Sequence, residues 1–231
     1  CYFSEYMFWA TFTHYPADQS LFLRDVITVW ITYSIAAYVV LWISFKFKAN
    51  NFYSWFFVGA IYGWLIEGAV VQTMYDVFPL QISFTGLAWH SLISVVWGWY
   101  YFRRVISEGK TKQILKNVIG IGLFYGFWAP TWWSEAGYIL PLEDFSLFIL
   151  FFTIPTVILY ILYEKVKSKE FIPSKLEKFL VCGFFIFFYI FGTIPTVSYL
   201  AIVLPILLGI VFWILKQHKI NQQSKEGDYE Q

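Results

Sequence analysis

The chain has 231 residues, of which 59% are hydrophobic, 24% aromatic and only 13% charged, and its net charge is +1. A soluble domain carries about a quarter charged residues. One aqueous globule could not hide this much apolar surface, so a bilayer must cover part of it. The near-neutral balance gives no reason to expect nucleic acid as a partner. Two cysteines, one of them (Cys182) inside an apolar run, cannot build a disulfide framework.

In chain order, residues 1–15 are aromatic and apolar around Glu5 and are too short to span. They read either as the last turns of a truncated helix or as an interfacial helix. Cys1 leaves two readings open, a lipidated mature N-terminus and a numbering boundary. Apolar runs follow at 26–45, 52–75, 82–102, 118–139, 145–163, 179–195 and 197–215. About 20 residues rise roughly 30 Å as a helix, the thickness of the hydrocarbon layer. The predicted fold is therefore all-α: an integral membrane bundle of seven transmembrane helices within residues 1–215, with an eighth if the first segment is a truncated helix. A polar tail, 216–231, is expected to fray into water. Pro130, Pro155 and Pro205 fall inside runs, where neighbouring helices can satisfy the freed carbonyls. The pentapeptide TIPTV occurs at 153–157 and 193–197 on helices of opposite expected direction, and reads as coincidence.

With seven crossings, all of the 16 Lys and Arg residues except Arg24 fall on one side. The bias of cationic loops toward the cytoplasm then puts the N-terminus outside and the C-terminus inside. The expected location is an integral, multi-pass position in a prokaryotic plasma membrane. The same loops could be read as anionic-lipid patches, but a topology signal accounts for them.

Ionisable groups at membrane depth need a partner or a task. Glu67 is expected roughly 22 Å along its helix from the cytoplasmic start, and His90 roughly 12 Å below the outer end of the next. Glu135 ends the fourth run after WAPTWWSEAG. Glu5–His14, Glu67–Asp76 and Glu135–Asp144 share one nine-residue interval, which makes Glu5 and His14 further candidates for an outer site. A carboxylate and an imidazole in low dielectric couple strongly and can exchange a proton near neutral pH, which suits general acid–base work by Glu67 and His90, with Glu135 assisting. The bland alternative is a hydrogen-bonded pair that fixes the register of two helices. No two of these candidates have i, i+3 or i+4 spacing, so no metal site is assigned, and no motif names a cofactor.

Aromatic belts at the interface use Trp and Tyr routinely. Trp64, Trp89 and Trp128 lie deeper than a belt requires, and Trp132 and Trp133 follow Pro130. Together with Gln72 and Tyr75 they are the expected walls of a pocket for a flat or polyene-like apolar ligand. Gly63, Gly68, Gly86, Gly98, Gly122 and Gly126 are expected to let helices approach closely.

The order Glu67, Tyr75, Pro79 and Trp89, within Tyr62–Tyr101, resembles multi-pass carotenoid-biosynthesis proteins. That resemblance implies a membrane fold and an isoprenoid substrate; no catalytic role is carried across. A retinal protein would need a lysine deep in its last helix, and there is none before Lys216 in the seventh run. Neither HExxH nor GxGD occurs. The leading expectation is a membrane-embedded enzyme or binder of an apolar lipid or isoprenoid small molecule, in contact with membrane lipid. The rivals are a small proton- or cation-coupled transporter and a structural subunit, with a second copy or other membrane proteins as partners.

Overall fold

The computed structural model describes residues 19–136, 141–166 and 171–228. Cys1, Glu5 and His14 lie outside the described residues. Among the described residues every regular element is helical: α1 (Gln19–Lys46), α2 (Phe52–Leu65), a wide helix (Ile82–Phe102), α3 (Arg103–Ser107), α4 (Thr111–Ala136), α5 (Leu142–Val166), α6 (Lys175–Phe188), α7 (Ile194–Val197) and α8 (Val203–Asp228), with short tight or widened helical turns among them. The chain divides into two compact units, one of Cys1–Ser34 with Phe102–Ser168, the other of Ile35–Tyr101 with Lys169–Gln231.

In the first unit, α4 and α5 meet through stacked Tyr125 and Phe145, with ring centres 5.9 Å apart. Arg103 donates to Glu164 at 3.1 Å and lies over the Tyr163 ring at 5.1 Å. Most of α5 presents large apolar side chains outward, among them Leu147, Phe151 and Ile154.

The second unit is built on capped helices. Asn51 precedes α2, its side-chain oxygen accepting from the Ser54 N–H at 2.9 Å while Ser54 Oγ accepts from the Asn51 N–H at 3.2 Å. Ser174 and Glu177 repeat this reciprocal cap at α6. Each cap satisfies backbone donors that a helix start leaves free. α2 packs on α8, and Phe47 meets Phe212 at 6.1 Å. α2 does not run on to residue 75. Its last turn, Ile66–Val70, widens so that the Val71 N–H reaches the Ile66 carbonyl, and Gln72 then takes a left-handed φ of +73°. Left-handed backbone costs a non-glycine residue about 1–2 kcal/mol, so the break must be held. Thr193 holds it, its buried hydroxyl lying 3.0 Å from the Gly68 carbonyl and 3.1 Å from that of Ala69.

Close approach of α2 to the wide helix depends on glycine. A Cβ on Gly63 would collide with the Gly86 carbonyl, and one on Gly86 would sit 2.5 Å from the Trp64 ring. Gly59, one turn before Gly63, sits against Ser91. Gly122 and Gly126 have nothing within 4 Å of a built Cβ, so the expected close approach does not occur there.

The seven-helix bundle is not what forms. Among the described residues three stretches are long and apolar enough to cross a membrane: Ile27–Lys46, Leu142–Val166 and Lys175–Ser224. The orientation that rested on seven crossings falls with the count. Trp and Tyr raise the hydrophobic total, yet each carries a polar group and weakens apolarity along a helix. The run 52–75 is rich in them and is cut at Gln72; 82–102 contains them with Ser, Thr and His; α4 begins with polar TKQ and ends in TWWSE. The runs 179–195 and 197–215 belong to one apolar stretch. That stretch is not straight: Ser198 has φ +52°, and Tyr189 Oη donates to the Ala201 carbonyl at 3.0 Å. Twelve residues of unbroken helix would separate those two residues by about 18 Å. The polar stretch from 216 continues α8 to Asp228. What stands is a largely helical, membrane-associated protein with long apolar helices and aromatic clusters.

Gly63→Ala should lower stability by about 1–3 kcal/mol, the range for overpacking. Gly122→Ala, with open space around it, should raise it by roughly 0.5–1 kcal/mol. Thermal unfolding of the two variants in the same detergent checks the contrast.

Candidate functional site

Glu67 and His90 meet. His90 Nε2 lies 2.6 Å from Glu67 Oε1, with the imidazole almost wholly buried (1% exposed) and the carboxylate nearly so (side chain 11%). Glu67 stands on the widened turn Ile66–Val70, and His90 stands on the wide helix. Widened helical turns are rare and occur often at functional positions, because the extra residue redirects side chains that a regular helix would aim elsewhere.

The surroundings hold the pair in one geometry. The Thr73 hydroxyl donates to Glu67 Oε2, and the Thr85 hydroxyl also faces the carboxylate. The Tyr62 ring meets the imidazole edge-on, with centres 5.2 Å apart at 85°. Trp64 Nε1 donates to the Ile82 carbonyl at 3.0 Å, and Ser91 Oγ donates to the Phe56 carbonyl at 2.5 Å. Both cross-links join α2 to the wide helix independently of the acid and the imidazole. The register of the two helices is therefore fixed by Trp64, Ser91 and the glycines as well as by the pair.

Chemically, one proton lies between a carboxyl oxygen and an imidazole nitrogen. It can belong to either, giving carboxylate with imidazolium or carboxylic acid with neutral imidazole. Such a pair can accept a proton at one atom and release one at another. Among the described residues no group of three or more His, Cys, Asp or Glu gathers as metal ligands.

The other expected residues divide. Tyr75 is buried beside the break after Glu67, and its phenol has no hydrogen-bond partner among the described residues. The Gln72 amide lies against Gly192. Trp64 is buried, with its N–H committed to the backbone, and Trp89 is half-buried on the wide helix. Trp128 belongs to the first unit, where it stacks on Phe124 at 6.5 Å. The backbone of α4 carries Trp132, Trp133 and Glu135, but their side chains lie outside the described residues.

Thr73, Thr85, Tyr62 and Thr193 were not singled out from the sequence. Thr73 lies six residues after Glu67, a spacing that shares no helical face. It reaches the carboxylate only because the chain leaves the helix at Gln72. Thr193 sits in the second TIPTV, and its spacing gives no sign that it reaches Gly68 and Ala69. Tyr62 reaches the imidazole of His90 from the regular part of α2, across to the next helix, and no spacing along the chain announces that contact.

His90→Ala leaves the Glu67 carboxylate buried without its imidazole, and should destabilise the protein by about 3 kcal/mol or more. Glu67→Gln, which keeps shape and a polar contact, should cost roughly 1 kcal/mol. The double variant should be less damaged than the sum of the two. Unfolding midpoints of the four proteins in one detergent give the coupling directly.

The chain matches no family model, no curated protein and no solved structure.

Proposed function

We propose that this protein binds and converts an apolar, lipid-phase substrate, using Glu67 and His90 as a proton-handling pair. The observation that carries the reading is the 2.6 Å contact between a carboxylate and an imidazole buried in an apolar unit whose register is already fixed by other bonds. A pair needed only for register would duplicate what Trp64 and Ser91 supply. In such surroundings an ionisable group is costly to keep, so its retention argues for a task.

The roles follow from position. Glu67 Oε2 is the oxygen nearer the half-exposed rim formed by Thr73 and Thr85, and is the atom that would exchange a proton with substrate. His90, deeper, would hold the compensating proton. Tyr75 and Gln72, beside the break that follows Glu67, and Trp89, next to His90 in the chain, are the side chains that would meet the ligand. Glu135, Trp128, Trp132 and Trp133 of α4, and Glu5 and His14, remain candidate contributors. A polyprenyl, carotenoid or fatty-acyl chain fits these apolar and aromatic surroundings; membrane lipid is the medium from which it would enter.

A second reading, a structural subunit of a larger membrane assembly, draws support from α5. Its large outward apolar side chains suit either lipid tails or the helix of a partner.

Extraction of the purified protein followed by mass spectrometry separates these readings. The expected result is a bound isoprenoid or other apolar small molecule beyond ordinary phospholipid. Glu67→Gln should leave that molecule bound and folding near normal, while its conversion falls by about 100-fold or more. A co-purifying protein with phospholipid alone, lost when His90 is replaced, would support the subunit reading instead.

A further inference from the structure

Away from Glu67 and His90, the second unit contains a cavity of about 600 Å³ lined by Lys46, Phe47, Phe212, Trp213, Lys216, Lys219, Ile220 and Gln223. Its composition is uneven in a particular way. Three lysines line it and no acidic side chain does, while four of the remaining five residues are apolar or aromatic. Of the six residues of α8 that contribute, Phe212, Lys216, Lys219 and Gln223 recur every three or four positions and share one helical stripe, with Trp213 and Ile220 beside it. Along that stripe the character changes from aromatic to cationic. From Phe212 to Lys219 the rise is about 10 Å, comparable with the depth over which a bilayer changes from hydrocarbon to headgroup.

The location agrees. Lys46 is the last residue of the apolar stretch Ile27–Lys46, and Lys216 and Lys219 lie near the end of Lys175–Ser224. Two apolar stretches thus end at the cavity, where an embedded helix meets the headgroups. The architecture is held rather than loose. Lys219 Nζ donates to the Lys46 carbonyl at 2.9 Å, and Gln222 Nε2 donates to Asn50 Oδ1 at 2.7 Å, tying α8 to the end of α1 and the turn beyond it. The first of these uses one of the three donors of an ammonium group and leaves two. Lys46 Nζ lies over the Trp42 and Phe47 rings, at 5.6 and 5.4 Å, which positions its charge without consuming its N–H groups. Lys216 is exposed and makes no hydrogen bond or ion pair among the described residues.

We propose that this cavity is a binding site for an anionic phospholipid, whose phosphate is held by Lys46, Lys216 and Lys219 while its acyl chains lie along Phe47, Phe212, Trp213 and Ile220. The lysines supply the attraction for negative charge, and the aromatic end supplies what an inorganic anion could not use. A lipid, not free phosphate, matches both ends. A zwitterionic phosphatidylcholine would bring a quaternary ammonium into a ring of three cations and be disfavoured.

The test is a titration of the full chain in neutral detergent with short-chain phosphatidylglycerol, short-chain phosphatidylcholine and inorganic phosphate, read by native mass spectrometry and calorimetry. Phosphatidylglycerol should bind about tenfold or more tightly than phosphatidylcholine, the scale expected when two or three lysines face one anionic headgroup. Inorganic phosphate should not displace it at millimolar concentration. The double variant Lys216→Gln/Lys219→Gln should lose that preference with little change toward phosphatidylcholine, and Lys216→Arg/Lys219→Arg should keep it. Circular dichroism of each variant verifies that the helices persist. Should either double variant unfold, Lys216→Gln alone, whose side chain makes no hydrogen bond or ion pair among the described residues, must still weaken phosphatidylglycerol severalfold. Equal affinity for the two lipids, an unchanged Gln double variant, or phosphate binding as tightly as phosphatidylglycerol would each overturn the proposal.

Discussion

An ionised side chain cannot be left alone in an apolar interior, and the second unit is arranged around that constraint. Glu67 receives an imidazole on one oxygen and a threonine hydroxyl on the other. To bring those partners in, the helix widens at Ile66–Val70 and then breaks at Gln72. The break leaves the carbonyls of Gly68 and Ala69 to share the single hydroxyl hydrogen of Thr193. One buried carboxylate therefore accounts for a widened turn, a left-handed residue and a threonine more than a hundred positions away. An unpaired buried polar group costs far more than a mediocre hydrogen bond gains, and for this reason the consequences propagate so far.

The same economy appears elsewhere. Helix starts are closed by reciprocal caps at Asn51/Ser54 and Ser174/Glu177. Polar side chains within apolar helices bond to the backbone a turn earlier: Thr156 to the Phe152 carbonyl, and Thr196 to that of Gly192. These two threonines occupy equivalent places in the two TIPTV copies, so the pentapeptide is a local device for keeping a hydroxyl satisfied beside a helical proline. Such internal accounting is what a helix surrounded by lipid requires.

Much of this was legible in the sequence, and the limits have physical causes. Composition identified a membrane-associated helical chain, since no soluble core could absorb so many aromatic residues. That Glu67 would find His90 could be inferred from two isolated ionisable groups on successive apolar runs; what they do there could not. The number of spans is not legible because an apolar run between polar breaks reads the same whether or not its helix is straight. No glycine or proline marks the break at Gln72, and no charge marks the irregular turn at Ser198. Neighbours such as Thr73 and Thr85 were invisible because the spacing that unites them with Glu67 exists only after the helix has ended. The glycines were read as a class, yet Gly63 and Gly86 are pressed against atoms while Gly122 and Gly126 face open space. Sequence records the missing side chain but not which surface takes advantage of it.

The contact between Gly63 and Gly86 acts as an index mark. Side chains can shift rotamers to absorb a small misfit, but a built Cβ on Gly63 would meet backbone, which cannot yield. Sliding the wide helix by one position along α2 would set Thr85 or Leu87 where only hydrogen fits, and would carry His90 away from its acid. The two helices consequently have a single notch in which they seat. The seating that fits this notch is also the one that sets His90 Nε2 2.6 Å from Glu67 Oε1.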